Sequence, residues 1–271
     1  MIINRAQITR VVFALYLALL IYKYFNGALI GQQLTPLFYT PNINFTYWLF
    51  LSTGISHYIF SHNYLIYLLN FLLFSNCILI IIKPRWFYCA IIFTICLWLY
   101  QMLMYSIVTY QSYAIGLLFP CIPFMFKKDL KFQFTFEAGR YFLCGLYFLG
   151  GFLKIKNGAV FHLSHLSDSI RISVADFMLQ NPDSYKTYLM TFLINYEFMS
   201  WMLFLIVMLL EISFVIGFFT KKFDLFLISL FFLFHLGNAL IMDIPFLNHV
   251  IIVIFLIPFI VKKDKLFKPI I

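Results

Sequence analysis

The chain has 271 residues, of which 63% are apolar and only 11% charged, with a mean hydropathy of +0.94. Soluble domains run near half apolar and a quarter charged, so an ordinary water-soluble globule is excluded. The formal net charge of +9 does not point to nucleic acid, because the basic residues stand at the ends of apolar runs, as membrane orientation requires. The expectation is an all-α, polytopic transmembrane helical bundle of about eight spans, with residues 1–271 forming a single transmembrane domain.

A span needs about 20 apolar residues. Arg5 and Arg10 ahead of Val11–Tyr22 look like a signal peptide, but Lys23 interrupts and no small-residue cleavage site follows, so a retained first span is expected near 11–30. The next spans are expected near 64–82, 86–108, 110–126, 134–153, 199–219, 223–241 and 248–262. Pro120 and Pro123 predict a kink or break in the fourth. The apolar stretch 45–60 (FTYWLFLSTGISHYIF) reads either as a ninth span or as a segment lying in the interface. Cys77, Cys89, Cys96, Cys121 and Cys144 all fall in apolar stretches and form no CxxC pair, so neither a disulfide framework nor a zinc site is expected.

The positive-inside rule orders these spans. With eight crossings, Arg5, Arg10, Lys83, Arg85, Lys127, Lys128, Lys131, Lys221, Lys222, Lys262, Lys263, Lys265 and Lys268 fall on one side. That side is read as cytoplasmic and receives both termini. The connection 155–198 falls outside and mixes Val160, Phe161, Leu163, Leu166, Ile170 and Ile172 with His162, His165, Asp168 and Arg171, the pattern of an amphipathic interfacial segment. Asp183 or Ser184 would then cap a helix running into the sixth span.

Ionisable residues inside spans are costly and are functional candidates by default. Arg140, Cys144, Tyr147, Gly151 and Lys154 recur at steps of three and four, so they line one helix face. Glu137 is close enough to pair with Arg140, fixing helix depth, and Lys154 by itself reads equally as a snorkelling interfacial lysine. Glu211 lies about 18 Å below the outer end of its span at 1.5 Å per residue. With no basic residue within a turn, its partner must come from another helix. His235, with Asn238 one turn on, lies about 9 Å below its own outer end by the same rise, which argues against direct contact with Glu211. All six histidines (His57, His62, His162, His165, His235, His249) fall near the outer side, with Lys154, Asp176, Glu197 and Asp243. His162 and His165 have metal-ligand spacing, but no third ligand stands near them.

Three stretches resemble a known family: YFLGGFLKIKNGAV (147–160), MLLEISFVIGFF (208–219) and FHLGNALIMDIPFLNHV (234–250). In order and spacing they are similar to the horizontally transferred transmembrane (HTTM) domain family, which includes the vitamin K-dependent gamma-glutamyl carboxylase and short bacterial SdpB-like proteins of peptide-toxin maturation. The resemblance implies Lys154 as the base that deprotonates a quinol, His235 as a functional histidine, and a bacterial cytoplasmic membrane. It departs from the carboxylase at YSIVTYQSYAIG (105–116), which lacks a histidine found there, and no stretch resembles the large lumenal domain that grips a protein substrate.

Two functions follow as expectations. One is an enzyme at the outer membrane face acting on a lipid-soluble, quinol-like or peptide substrate. In it Lys154 is the base, His235 an oxyanion stabiliser or proton relay, Asn238 a hydrogen-bond donor, and Glu211 a proton acceptor or an orienter of the histidine. The other is a non-catalytic subunit or accessory factor of a peptide-export, maturation or membrane-protein complex, with these residues as interhelical glue and 155–198 as a docking surface. The first requires Lys154, His235 and Glu211 to converge on one site; the second does not. The bilayer is the expected partner in both, and nucleic acid in neither.

Overall fold

The computed structural model describes residues 4–32, 45–107, 118–242 and 247–257. Every secondary-structure element among them is a helix. They form two compact units, one from the chain up to Glu137 with residues from Leu247 onward, the other from Ala138–Phe246.

In the first unit α1 (Arg5–Phe25) opens on a capping box, in which the Asn4 side chain accepts from the Gln7 amide and the Gln7 side chain from the Asn4 amide. Its buried face, Ile8, Val12, Phe13, Tyr16 and Leu20, has helical spacing. It packs on α4 (Asn63–Ile82), which in turn packs on α5 (Phe87–Tyr105). Phe13 meets Phe93 edge-on at 5.2 Å and Phe124 at 5.5 Å. Phe124 belongs to a 3-10 helix, Phe119–Met125, that contains Pro120 and Pro123 and is the described part of the expected fourth span. The prolines explain the break, since each lacks an amide donor. Arg5 donates to the carbonyls of Phe126 and Lys127 and pairs with Asp129, while Arg10 donates to the Ile81 carbonyl. The basic ends of α1, α4 and α6 (Asp129–Lys156) therefore meet at one end of this unit.

Residues 45–60 form no continuous span. They make α2 (Phe45–Ser52) and α3 (Ile55–Phe60), separated at Gly54, whose φ of +71° is left-handed and ends the first helix. Neither is long enough to cross a hydrocarbon core of about 30 Å.

The second unit contains the rest of α6, a 3-10 turn Ala159–Phe161, α7 (His165–Gln180), α8 (Tyr185–Asn195), α9 (Glu197–Ser213), α10 (Ile216–Phe219) and α11 (Asp224–Met242). Ser184 caps α8 as expected, accepting from the Thr187 amide at 3.1 Å. The helix does not run on into the sixth span, because Tyr196, with ψ 75°, interrupts it and α9 begins afresh at Glu197. On α7 one apolar side turns inward, while Ile172 and Leu179 are 83 and 80% exposed. Ile170 and Val174 pack with Met190 and Leu193 of α8, and Leu203, Ile241 and Met242 join them. Trp201 Nε1 donates to the Val160 carbonyl at 2.7 Å, tying the turn after α6 to α9.

Among the described residues, five helices are long and apolar enough to cross a membrane: Arg5–Phe25, Asn63–Ile82, Phe87–Tyr105, Glu197–Phe219 and Asp224–Met242. The chain therefore has the make-up of an integral membrane protein. They coincide with five of the eight expected spans. The helix at the expected 134–153 span, α6, has 28 residues but carries Glu137, Arg140, Lys154 and Lys156, which lower its hydropathy. At the eighth span the described residues form a 3-10 helix, Leu247–Leu256. Residues 110–117 and 258–262, the remainder of the fourth and eighth spans, lie outside the described residues.

Candidate functional site

The face of α6 read from the sequence is engaged along its length within the second unit. At its lower end Arg140, 3% exposed, grips the turn into α11. Its Nε and Nη2 donate to the two carboxylate oxygens of Asp224 at 3.2 and 2.7 Å, and Nη1 and Nη2 donate to the Gly217 and Thr220 carbonyls at 2.5 and 2.7 Å. This fork geometry is what a guanidinium supplies and an ammonium cannot. Asp224, from 84 residues away, is a partner that sequence proximity does not indicate. At the next level the Cys144 side chain lies against Gly217, where an added Cβ would fall 2.3 Å from Sγ.

Two turns higher the four polar residues of the candidate site appear. The Tyr147 hydroxyl and His235 Nε2 share a hydrogen bond at 2.5 Å, and Lys154 Nζ donates to Glu211 Oε2 at 2.5 Å. Thus α6 bridges to α11 through one pair and to α9 through the other. Phe234 joins them, its ring lying 5.7 Å from that of Tyr147 and 5.9 Å from Lys154 Nζ. Phe214 stacks on Tyr147 at 4.6 Å and Phe231 lies 4.4 Å from the His235 ring, so the pair sits in an aromatic setting. The Lys154 side chain is 31% exposed and that of Glu211 7%. The pair therefore has an accessible cationic end and a buried anionic one.

Gly150 and Gly151 allow this approach. A Cβ on Gly151 would lie 2.8 Å from Ile212 Cγ1, 3.1 Å from Glu211 Cβ and 3.1 Å from the Met208 carbonyl. The two backbones are in contact there, which lets the lysine reach across to the acid. Glu211 takes Lys154 and His235 takes Tyr147, and neither hydrogen bond joins Glu211 directly to His235. The outer ends of α9 and α11 are not level, because α9 begins at Glu197 and extends beyond the end of α6, sheathed by α7 and α8. Counted from the turn held by Arg140, Glu211 stands nine residues before Thr220 and His235 eleven after Asp224, about 14 and 16 Å at 1.5 Å per helical residue.

Lys154, Glu211 and His235 are thus brought to one layer, with Tyr147, which the sequence placed on the right face without a role. Asn238, half-buried one turn beyond His235, makes no side-chain hydrogen bond among the described residues. His57, His62 and His249 belong to the first unit, His162 is exposed, and His165 packs edge-on against Phe204 at 4.9 Å. Asp176 and Glu197 are exposed on α7 and α9, and Asp243 lies outside the described residues. Among the described residues no three His, Cys, Asp or Glu side chains gather as metal ligands. Asp224 carried no usable signal in the sequence. Following Lys221 and Lys222 it reads as a solvated helix start, and only the fold puts it opposite Arg140.

No family model, curated protein or solved structure matches the chain.

Proposed function

We propose that this chain is an integral membrane protein of the HTTM type. It would use the Lys154–Glu211 and Tyr147–His235 pairs as a proton-transfer site for a lipid-soluble, quinol-like substrate or a membrane-associated peptide. The observation that supports this reading is the convergence of both pairs across one layer from three helices, with the lysine end partly exposed. A proton passed from Lys154 to Glu211 leaves a neutral amine beside a neutral acid. The amine then accepts the proton of a substrate O–H, regenerating the ammonium next to the new oxyanion. Both protons are accounted for, one on each member of the pair. The Tyr147–His235 pair can donate a hydrogen bond to that oxyanion, with Asn238 a further donor.

The test is turnover of a naphthoquinol by the full chain in lipid nanodiscs, compared with Lys154→Ala and His235→Ala. Loss of at least 100-fold in either variant is expected, on the usual scale for removing a general base. Unchanged turnover in both, or none in the wild type with any quinol or peptide tried, overturns the reading.

A second reading, a non-catalytic subunit, is favoured by one observation: the Lys154–Glu211 and Tyr147–His235 pairs bond across helices, as packing glue would. It predicts that Lys154→Met/Glu211→Leu leaves association with partner proteins and their maturation intact.

A further inference from the structure

We propose that the exposed aromatic row of α8 is a lipid-interface anchor, seated at the headgroup–acyl boundary at the α9 N-terminal end of the second unit. This rests on the membrane-protein reading and not on the catalytic one.

Helix α8 has two unlike faces. Thr187, Met190 and Leu193 are buried, with Met190 and Leu193 in the core shared with α7. The opposite side carries Tyr185, Tyr188, Phe192 and Tyr196, exposed by 85, 64, 46 and 59%. Their steps of three and four make one continuous row. An aromatic row so exposed is costly in water.

Lipid is the occupant that three features favour. First, the exposure continues without a break through residues 195–199 into Met199, Met202, Ile206 and Leu209 of α9, a helix apolar enough to cross a membrane. The row thus prolongs a surface that already suits lipid. Second, tyrosine combines an apolar ring with a polar tip and concentrates where bilayer meets water. Third, the lone charge on α8, Lys186, is drawn onto the Phe177 ring at 4.5 Å, so the charge beside the row is the exposed Glu197 at the start of α9, at the end where headgroups would meet it. With 11 residues α8 rises only about 16 Å, too little to cross the bilayer, so it rests at the boundary. Arg171 and Asp168, an exposed pair on α7, mark the side left to water.

The test uses the full chain in phosphatidylcholine nanodiscs, spin-labelled at Tyr188→Cys, Phe192→Cys, Asp176→Cys or Ile206→Cys. The native cysteines are all buried, and the unsubstituted chain is the labelling control. At 188 and 192 the collision rate with oxygen should exceed that with a water-soluble nickel chelate several-fold; at 176 the order should reverse. If 188 and 192 favour the chelate while 206 favours oxygen, the anchor is overturned and the membrane reading stands. If 206 also favours the chelate, the membrane reading itself fails. If 188 and 192 collide with neither, protein covers the row, and the lipid assignment is overturned in favour of a partner or a second copy. Should a cysteine variant not fold, Tyr188→Trp quenched by lipids brominated near the headgroup reads the same position.

Discussion

Lys154 on α6 and Glu211 on α9 are 57 residues apart in sequence and 2.5 Å apart in space, and the two ends of the pair differ in surroundings. Glu211 is nearly enclosed, whereas about a third of the lysine side chain is accessible. Breaking such a pair is therefore asymmetric. Lys154→Met strands a buried carboxylate and should cost about 3–5 kcal/mol, while Glu211→Leu leaves a lysine that can snorkel and should cost less. The double substitution should fall below Lys154→Met alone. Thermal unfolding of the four proteins in one detergent measures this cycle, and additive losses would show that the pair contributes no coupling.

Gly151 is where α6 and α9 touch. Gly151→Val cannot be accommodated without separating the helices, because the nearest atoms include the Met208 carbonyl at 3.1 Å, which belongs to helix backbone. A destabilisation of about 1–3 kcal/mol is expected from overpacking, with loss of whatever activity the Lys154–Glu211 pair supports. Thermal midpoint and turnover, measured together, check it. Wild-type values for both would mean that the backbones are not in contact.

Arg140 holds the α10–α11 turn through a carboxylate and two carbonyls. Arg140→Lys keeps the charge but loses the fork, so it should still destabilise by at least about 2 kcal/mol. Asp224→Asn should cost about 3 kcal/mol by leaving the guanidinium underpaired. Hydrogen exchange at the first turn of α11 should rise in both.

Tyr147→Phe removes the hydroxyl that meets His235 and leaves the ring stack with Phe214 in place. Stability should fall by only about 1 kcal/mol, the net value of one hydrogen bond. If the pair orients the histidine for chemistry, turnover should fall much further than stability does. Equal, small effects on both would assign the hydrogen bond to packing alone.

Trp201 ties the turn after α6 to α9 with a single indole donor. Trp201→Phe should cost about 1 kcal/mol and leave the half-buried Val160 carbonyl without that donor. Limited proteolysis between 156 and 165 should quicken in the variant, and unchanged cleavage would show that the turn is held by other contacts.

Much of this protein was legible from local chemistry. The membrane composition, the apolar helices, the break at Pro120 and Pro123, the Ser184 cap and the Arg140-to-Lys154 face all follow from hydropathy, missing amide donors and the 3.6-residue period. These are properties of residues near one another in the chain, which is why a single sequence carries them. The partners on that face were not legible. That Arg140 meets Asp224, Tyr147 meets His235 and Lys154 meets Glu211 depends on how far each helix slides past the next, an offset that fits the close approach of the α9 backbone at Gly151 and of the Cys144 side chain at Gly217. The ends of the helices are also not level, since α9 reaches beyond α6 and packs against α7 and α8. Residue type marked which side chains are costly in lipid; only the packed offsets of α6, α9 and α11 decided which of them relieve that cost for each other.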